Sequence, residues 1–264
     1  MTAILQFHQC WSDIFMFLGL ADYYATKYDR VILIGRSDAK DIYEPYFDGK
    51  QNIQIHYTDN FHVFDSNDIP NLDMSQCVLV PHGKFDRYRI DQYANTYRTW
   101  GQPFPKHYSE LFYSKYGIES NGRIRYFNFQ RNEELEEQVY KDIIGDDDRE
   151  YVLYHDAHPG ESNMEFDRHS DYRYIDLNGI VKNPFSLIKV LINAKEIHVV
   201  DSFWASVCFN IDAKYGLFND VPIYLYPFKH HNRWGGILKD STYIDEMNLP
   251  VKLTNWEVVC QTKI

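Results

Sequence analysis

The sequence predicts an α/β protein made of two successive strand–helix series, and three observations carry the prediction. Short apolar runs alternate with helical stretches from the first residues onward. The alternation restarts after a charged linker, Gly145-Asp146-Asp147-Asp148-Arg149-Glu150. Polar residues follow directly on several apolar runs, as in open parallel sheets, which bind ligands beyond the carboxyl ends of their strands.

The first series opens with an apolar strand at Ala3–Phe7, a polar loop His8–Asp13, a helical stretch from Ile14 to about Tyr28 and a buried strand at Val31–Ile34. Strand, helix and strand at this spacing read as a βαβ unit. Ile53–Tyr57 and Cys77–Val80 read as further strands, and Gly101–Pro105 as a loop before an aromatic helix around Tyr108–Tyr116. Glu133–Ile144 reads as a charged amphipathic helix. The glycine and solvated charges that follow place the domain boundary at 145/146, giving domains 1–145 and 146–264. The second series has strands at Tyr151–His155, Glu196–Val200 and Val221–Tyr226, with helices at Asn183–Asn193 and Trp204–Tyr215. Asn183 before Pro184 suits an N-cap followed by proline in the first turn.

The composition supports a packed enzyme-sized core, with 44% hydrophobic residues over 264 positions, and excludes a disordered chain. A formal net charge of -11 repels phosphate backbones at long range, so nucleic acid is not an expected partner. Cys10, Cys77, Cys208 and Cys260 form no CxxC pair, which disfavours a disulfide framework or a zinc site. No apolar stretch approaches the ~20 residues of a membrane span, and MTAILQFHQC lacks the pattern of a secretory leader. A cytoplasmic place with at most peripheral membrane contact is expected.

Four segments carry groups suited to chemistry. After the first strand, Asp13 either caps the following helix or acts as a general base, with His8 as the second candidate. Glu196–Trp204 runs from a strand through Asp201 and Ser202 directly into the following helix. Its free N–H groups suit a diphosphate, while ordinary capping by Asp201 or Ser202 is the plain alternative. His198 inside that strand reads as a hydrogen-bonded core histidine. In Tyr151–Arg168, His155 and Asp156 end a strand, and Arg168 is either a bidentate phosphate partner or a surface arginine paired with Asp167 or Asp171. Lys229, His230, His231 and Arg233 form a cationic cluster beside aromatics, suited to phosphate or base contact or to an interdomain linker. No carboxylate at helical spacing turns His230 and His231 into a metal site. The Asp-x-Asp of 146–148 precedes a strand and reads as a solvated linker.

Taken in order, these segments resemble a group of bacterial and viral proteins of GT-B-like architecture, similar at a distance to heptosyltransferases and fucosyltransferases. The resemblance runs through HQCWSD, KYDRVIL at Lys27–Leu33, and Phe112-Tyr113, Gly117-Ile118, Arg125, Phe127 and Arg131. It continues through YVLYHDAHPG, Arg168, the LNG of Leu177–Gly179 and NPFSLIKVLINAKEIHVVDSFW, the most specific block. Cys10 and Trp11 stand where the group has a glycine-rich turn, so the first loop is bulkier here.

The resemblance implies two Rossmann-like domains facing a cleft and a metal-independent glycosyltransferase with no cofactor. A nucleotide-sugar would be the donor and a glycan or glycolipid the acceptor. Asp13 matches the catalytic-base position, and the donor would lie near His155, Arg168, Asp201, Ser202, Phe203, Lys229 and His230. A polysaccharide pyruvyltransferase-like enzyme and a non-catalytic carbohydrate- or nucleotide-binding protein are the alternatives.

Overall fold

The computed structural model describes residues 1–6, 11–59, 69, 72–80, 113, 117–119, 121–156, 164, 166–180, 183–200, 203–218, 220–226, 253 and 255–258, without the side chains of 12, 13, 16 and 79. The protein is α/β and divides into two units, Met1–Gln130 and Arg131–Ile264.

The first unit holds a parallel four-stranded sheet of order β3-β2-β1-β4, formed by β1 (Thr2–Gln6), β2 (Arg30–Arg36), β3 (Ile53–Thr58) and β4 (Cys77–Val80). Its central strands TAILQ and RVILIGR are buried on both faces, which explains why they are apolar runs without alternation. Ile4, Ile32 and Ile34 pack with Ile69 on one side. The crossover helix α1 (Trp11–Ala25) is also rich in apolar residues. At Gly19 it passes so close to α3 (Gly122–Arg125) that a Cβ would lie 2.8 Å from the Arg123 carbonyl oxygen and 3.0 Å from the Phe127 nitrogen. A second helix, α2 (Lys40–Phe47), accommodates Pro45 and buries Ile42, Tyr43, Tyr46 and Phe47.

One polar network ties these helices together. Tyr46 donates to Asp22 at 2.5 Å and accepts from the Asn128 amide at 2.9 Å. Lys50 reaches the same carboxylate at 2.7 Å and the Asn128 carbonyl at 2.5 Å. Burial pushes the Asp22 carboxyl up and the Lys50 ammonium down, and each charge offsets the shift of the other.

The second unit carries a parallel five-stranded sheet of order β6-β5-β7-β8-β9. Its strands are β5 (Tyr151–His155), β6 (Arg173–Asp176), β7 (Glu196–Val200), β8 (Ile223–Tyr226) and β9 (Trp256–Val258). The edge strands β6 and β9 and the helices α2 and α3 were not expected from the sequence. Helix α4 (Glu133–Ile144) starts with the Asn132 side chain accepting from the Leu135 amide at 3.0 Å, over a first turn rich in glutamate. It ends at Gly145, whose φ of 64° and ψ of -144° lie in a region open mainly to glycine, and whose amide donates to the Lys141 carbonyl. Arg173 of β6 donates to the Ile143 and Ile144 carbonyls, each at 2.8 Å.

Helix α4 packs against a 3₁₀ turn, Pro184–Leu187, and α5 (Ile188–Ile192). The division therefore falls before α4 and not at the expected 145/146 junction. Asn183 caps the 3₁₀ turn by accepting from the Phe185 amide, with proline following as expected. Helix α6 (Phe203–Tyr215) buries its Asp212, which accepts from the Trp256 indole at 2.8 Å and the Phe218 amide at 3.2 Å. Among the described residues no helix is long and apolar enough to cross a membrane.

Candidate functional site

The second sheet reverses direction between β5 and β7. From β5 the chain moves outward to β6, then returns past β5 to β7 and continues to β8. In open parallel sheets such a reversal is where ligands bind, beyond the carboxyl ends of the two strands. His155 and Asp156 stand at that edge on β5, and α6 starts three residues after β7 ends at Val200.

The two faces of the sheet differ in chemistry. One presents Leu153, Ile197, Val199, Ile223 and Leu225, all fully buried, and lies on the α6 side, where Phe209 meets Trp256. The register puts Tyr154, His198 and Tyr224 side by side on the other face, with Tyr174, Glu196 and Tyr226 two positions away along their strands. Met164 and Phe166 cover this face, Met164 packing with Val200 and Tyr226. Strand alternation creates the contrast: E-I-H-V of β7 and I-Y-L-Y of β8 send polar and apolar residues to opposite sides, with Val200 closing the polar face at its carboxyl end.

On the polar face, His198 is sandwiched between Phe166, at a centroid distance of 4.2 Å, and Tyr224, at 4.7 Å. Its Nε2 lies 3.1 Å from Glu196 Oε2, and its Nδ1 lies 2.9 Å from the Tyr226 hydroxyl. Burial lowers the His198 pKa, opposed by the hydrogen bond and charge of Glu196. Burial raises Tyr226 to about 12, helped by Tyr224 and by the charges of Glu196, Glu257 and Asp167. Beside this group the exposed Arg168 lays its guanidinium over three rings, 4.9 Å from Tyr154, 5.4 Å from Phe166 and 5.3 Å from Tyr174. Among the described residues it pairs with no carboxylate, so the surface pairing with Asp167 or Asp171 is not what holds it. The aromatic contacts are.

The expected site residues fall as follows. Arg168 lies on the polar face. His155 is buried, with 7% of its surface exposed, and shares the opposite face with Val199 and Leu225. The structure therefore does not bring its side chain to Arg168. Phe203 opens α6 half-buried, edge to Trp204 at 5.3 Å. Asp13 lies within the first turn of α1, which starts at Trp11 and not at Ile14, and its side chain is outside the described atoms. His8, Asp201, Ser202, Lys229 and His230 lie outside the described residues.

Asp147 of the acidic linker is engaged by Arg149 at 2.7 and 3.0 Å, which lowers its carboxyl to about 2. Among the described residues no group of His, Cys, Asp and Glu is placed to hold a metal ion. What sequence reasoning missed is the Glu196–His198–Tyr226 chain. The signal was there, since glutamate and histidine two apart in a strand share a face. Comparisons with protein-family models, curated proteins and solved structures found no match.

Proposed function

We propose that the chain is a metal-independent glycosyltransferase of GT-B type, with two Rossmann-like domains facing a cleft. It moves a sugar from a nucleotide-sugar donor to a glycan, glycolipid or other hydroxyl acceptor. The observation that carries this reading is Arg168. Its guanidinium is held over the rings of Tyr154, Phe166 and Tyr174 and pairs with no carboxylate among the described residues. Ring contacts of that kind do not use up N–H donors, which supports bonding to a phosphate. A parallel sheet with a reversal in strand order is a fitting support for such a ligand.

In this reading Arg168 offsets the charge of the departing nucleoside diphosphate, where stabilisation is worth most. Lys229, His230 and the Asp201–Phe203 helix start are proposed to complete the donor site. The acceptor hydroxyl must also lose its proton, and the first unit offers Asp13 for that step, where the positive end of α1 favours an ionised carboxylate.

Calorimetric titration with nucleoside diphosphates tests the proposal. The unsubstituted protein should bind one of them, and Arg168→Ala should weaken that affinity by roughly 1.5–3 kcal/mol. Unchanged affinity makes Arg168 a ring-stacked surface residue. Binding of phosphoenolpyruvate with no nucleotide affinity moves the reading to pyruvyl transfer.

A further inference from the structure

We propose that Asn178 is a self-modification site, where the folded protein slowly turns an amide into a carboxylate through a cyclic imide closed with Gly179. The other asparagine–glycine pair of the chain, Asn121-Gly122, stays intact in the fold. The inference goes beyond the transfer reading and uses no part of it.

The chemistry needs water and no enzyme. The backbone nitrogen of Gly179 gives its proton to solvent and forms a bond to the side-chain carbonyl carbon of Asn178. The carbon–nitrogen bond of the side-chain amide breaks, and ammonia leaves with the electron pair and a proton. Water then adds to either carbonyl carbon of the imide and opens the ring. One opening gives aspartate, the other isoaspartate, and nothing is oxidised or reduced. A side chain on the residue after the asparagine crowds the attacking nitrogen, and glycine has none.

The structure separates the two pairs. Asn178 and Gly179 are both exposed. They close a short 3₁₀ turn, Leu177–Gly179, in which only Leu177 is buried. A Cβ added at Gly179 would meet no atom within 4 Å, so the imide and the incoming water have room. A single 3₁₀ turn at the surface has poor hydrogen-bond geometry and opens at small cost.

Asn121-Gly122 is held in the opposite way. Gly122 is buried at the start of α3, and its amide donates to the Glu119 carbonyl at 2.8 Å. A Cβ on Gly122 would lie 2.3 Å from the Ile118 side chain and 3.0 Å from the Tyr113 ring. The side-chain oxygen of Asn121 is itself buried. The nitrogen cannot swing onto the amide carbon there, and water has no way in.

The reactive turn sits at a telling place. Strand register sets Asp176 beside Tyr154, so the turn leaves the second sheet at the carboxyl edge, where β5 ends in His155. Each conversion adds a negative charge at that edge. The isoaspartate branch also runs the backbone through the former side-chain methylene. That shifts the turn away from the geometry in which the Asp176 carboxylate accepts from the Asn178 amide at 2.8 Å.

The test is ageing of the native protein in mildly alkaline buffer, followed by digestion and mass spectrometry of the peptides. The peptide carrying Asn178 should gain the mass difference between an acid and an amide, split between aspartate and isoaspartate. The peptide carrying Asn121 should stay at background, and in urea both should react. Gly179→Ala, whose methyl the fold accommodates, should hold the Asn178 product near background. An unmodified Asn178, or equal conversion of Asn121 in the folded protein, overturns the proposal. An undiminished product in Gly179→Ala also overturns it, because direct hydrolysis would then replace the imide.

Discussion

Removing one oxygen atom from Tyr46 should destabilise the first unit measurably. Tyr46 is fully buried, and its hydroxyl both donates to Asp22 and accepts from the Asn128 amide. Tyr46→Phe keeps the ring and its contacts with Phe47 and Phe127, so packing changes little. The bond to the carboxylate is worth ~1.5–3 kcal/mol and the neutral bond to the amide ~0.5–1.5 kcal/mol. Among the described residues Asp22 then keeps Lys50 as its side-chain partner, in a site whose burial already raises its pKa. The expected loss is about 3 kcal/mol. For a urea slope of ~2 kcal/mol/M it lowers the unfolding midpoint by ~1.5 M. Circular dichroism during urea titration reads it directly. An unchanged midpoint would refute the argument that this network fixes α1 against α2 and the Asn128 segment.

Other outcomes follow from the same packing. Gly19→Ala drives a Cβ into backbone atoms of Arg123 and Phe127 that no side-chain rotation can move. It should cost ~1–3 kcal/mol, the range for overpacking, read from the same titration. His198 is held below its usual 6.5 by burial, so below 6.5 the unfolded chain binds more protons than the folded one. The stability it contributes is complete above 6.5 and is lost as pH falls through the folded value. His198→Gln should flatten that slope in midpoints measured on either side of 6.5.

The parts of the fold legible in the sequence were those whose burial is two-sided. The strands β1 and β2 are short apolar runs because both of their faces are covered, while β5 and β7 showed through the buried Val152, Leu153, Ile197, Val199 and Val200 between their polar residues. The edge strands hid for the opposite reason. In RYID of β6 only Ile175 is buried, and WEV of β9 is too short for a period to show. Helix α2 was masked by Pro45, which reads as a breaker although it sits within the helix. The charged run after Gly145 looked like a domain linker. It closes α4 locally instead, through the glycine cap and the Asp147–Arg149 pair.

The candidate site was legible one residue at a time and not as a group. Arg168 was readable as a phosphate partner or a surface arginine, but its three rings come from β5, β6 and the segment before it. Only the strand register makes them neighbours. His155 looked like a partner because it ends a strand, and the alternation that sends Tyr154 to one face sends His155 to the other. His198 was read as a satisfied core histidine, and both of its nitrogens do have partners. The partner at β8 lies 28 residues away in sequence, beyond what spacing reveals.

The grip of Arg173 on the end of α4 decides how the protein can be cut for experiments on its halves. A fragment starting at residue 146 would remove both carbonyls that Arg173 holds and strip α4 from the 3₁₀ turn and α5 that it packs against. One starting at Arg131 keeps the cap, the grip and the Lys189–Glu137 pair. Upstream, Asn128 is bound on both its amide and its carbonyl by Tyr46 and Lys50, while Arg131 is bound to Glu136. Anchors to opposite units thus flank Phe129 and Gln130. A protease site inserted between Gln130 and Arg131 would leave the ties of Asn128 and of Arg131 in place.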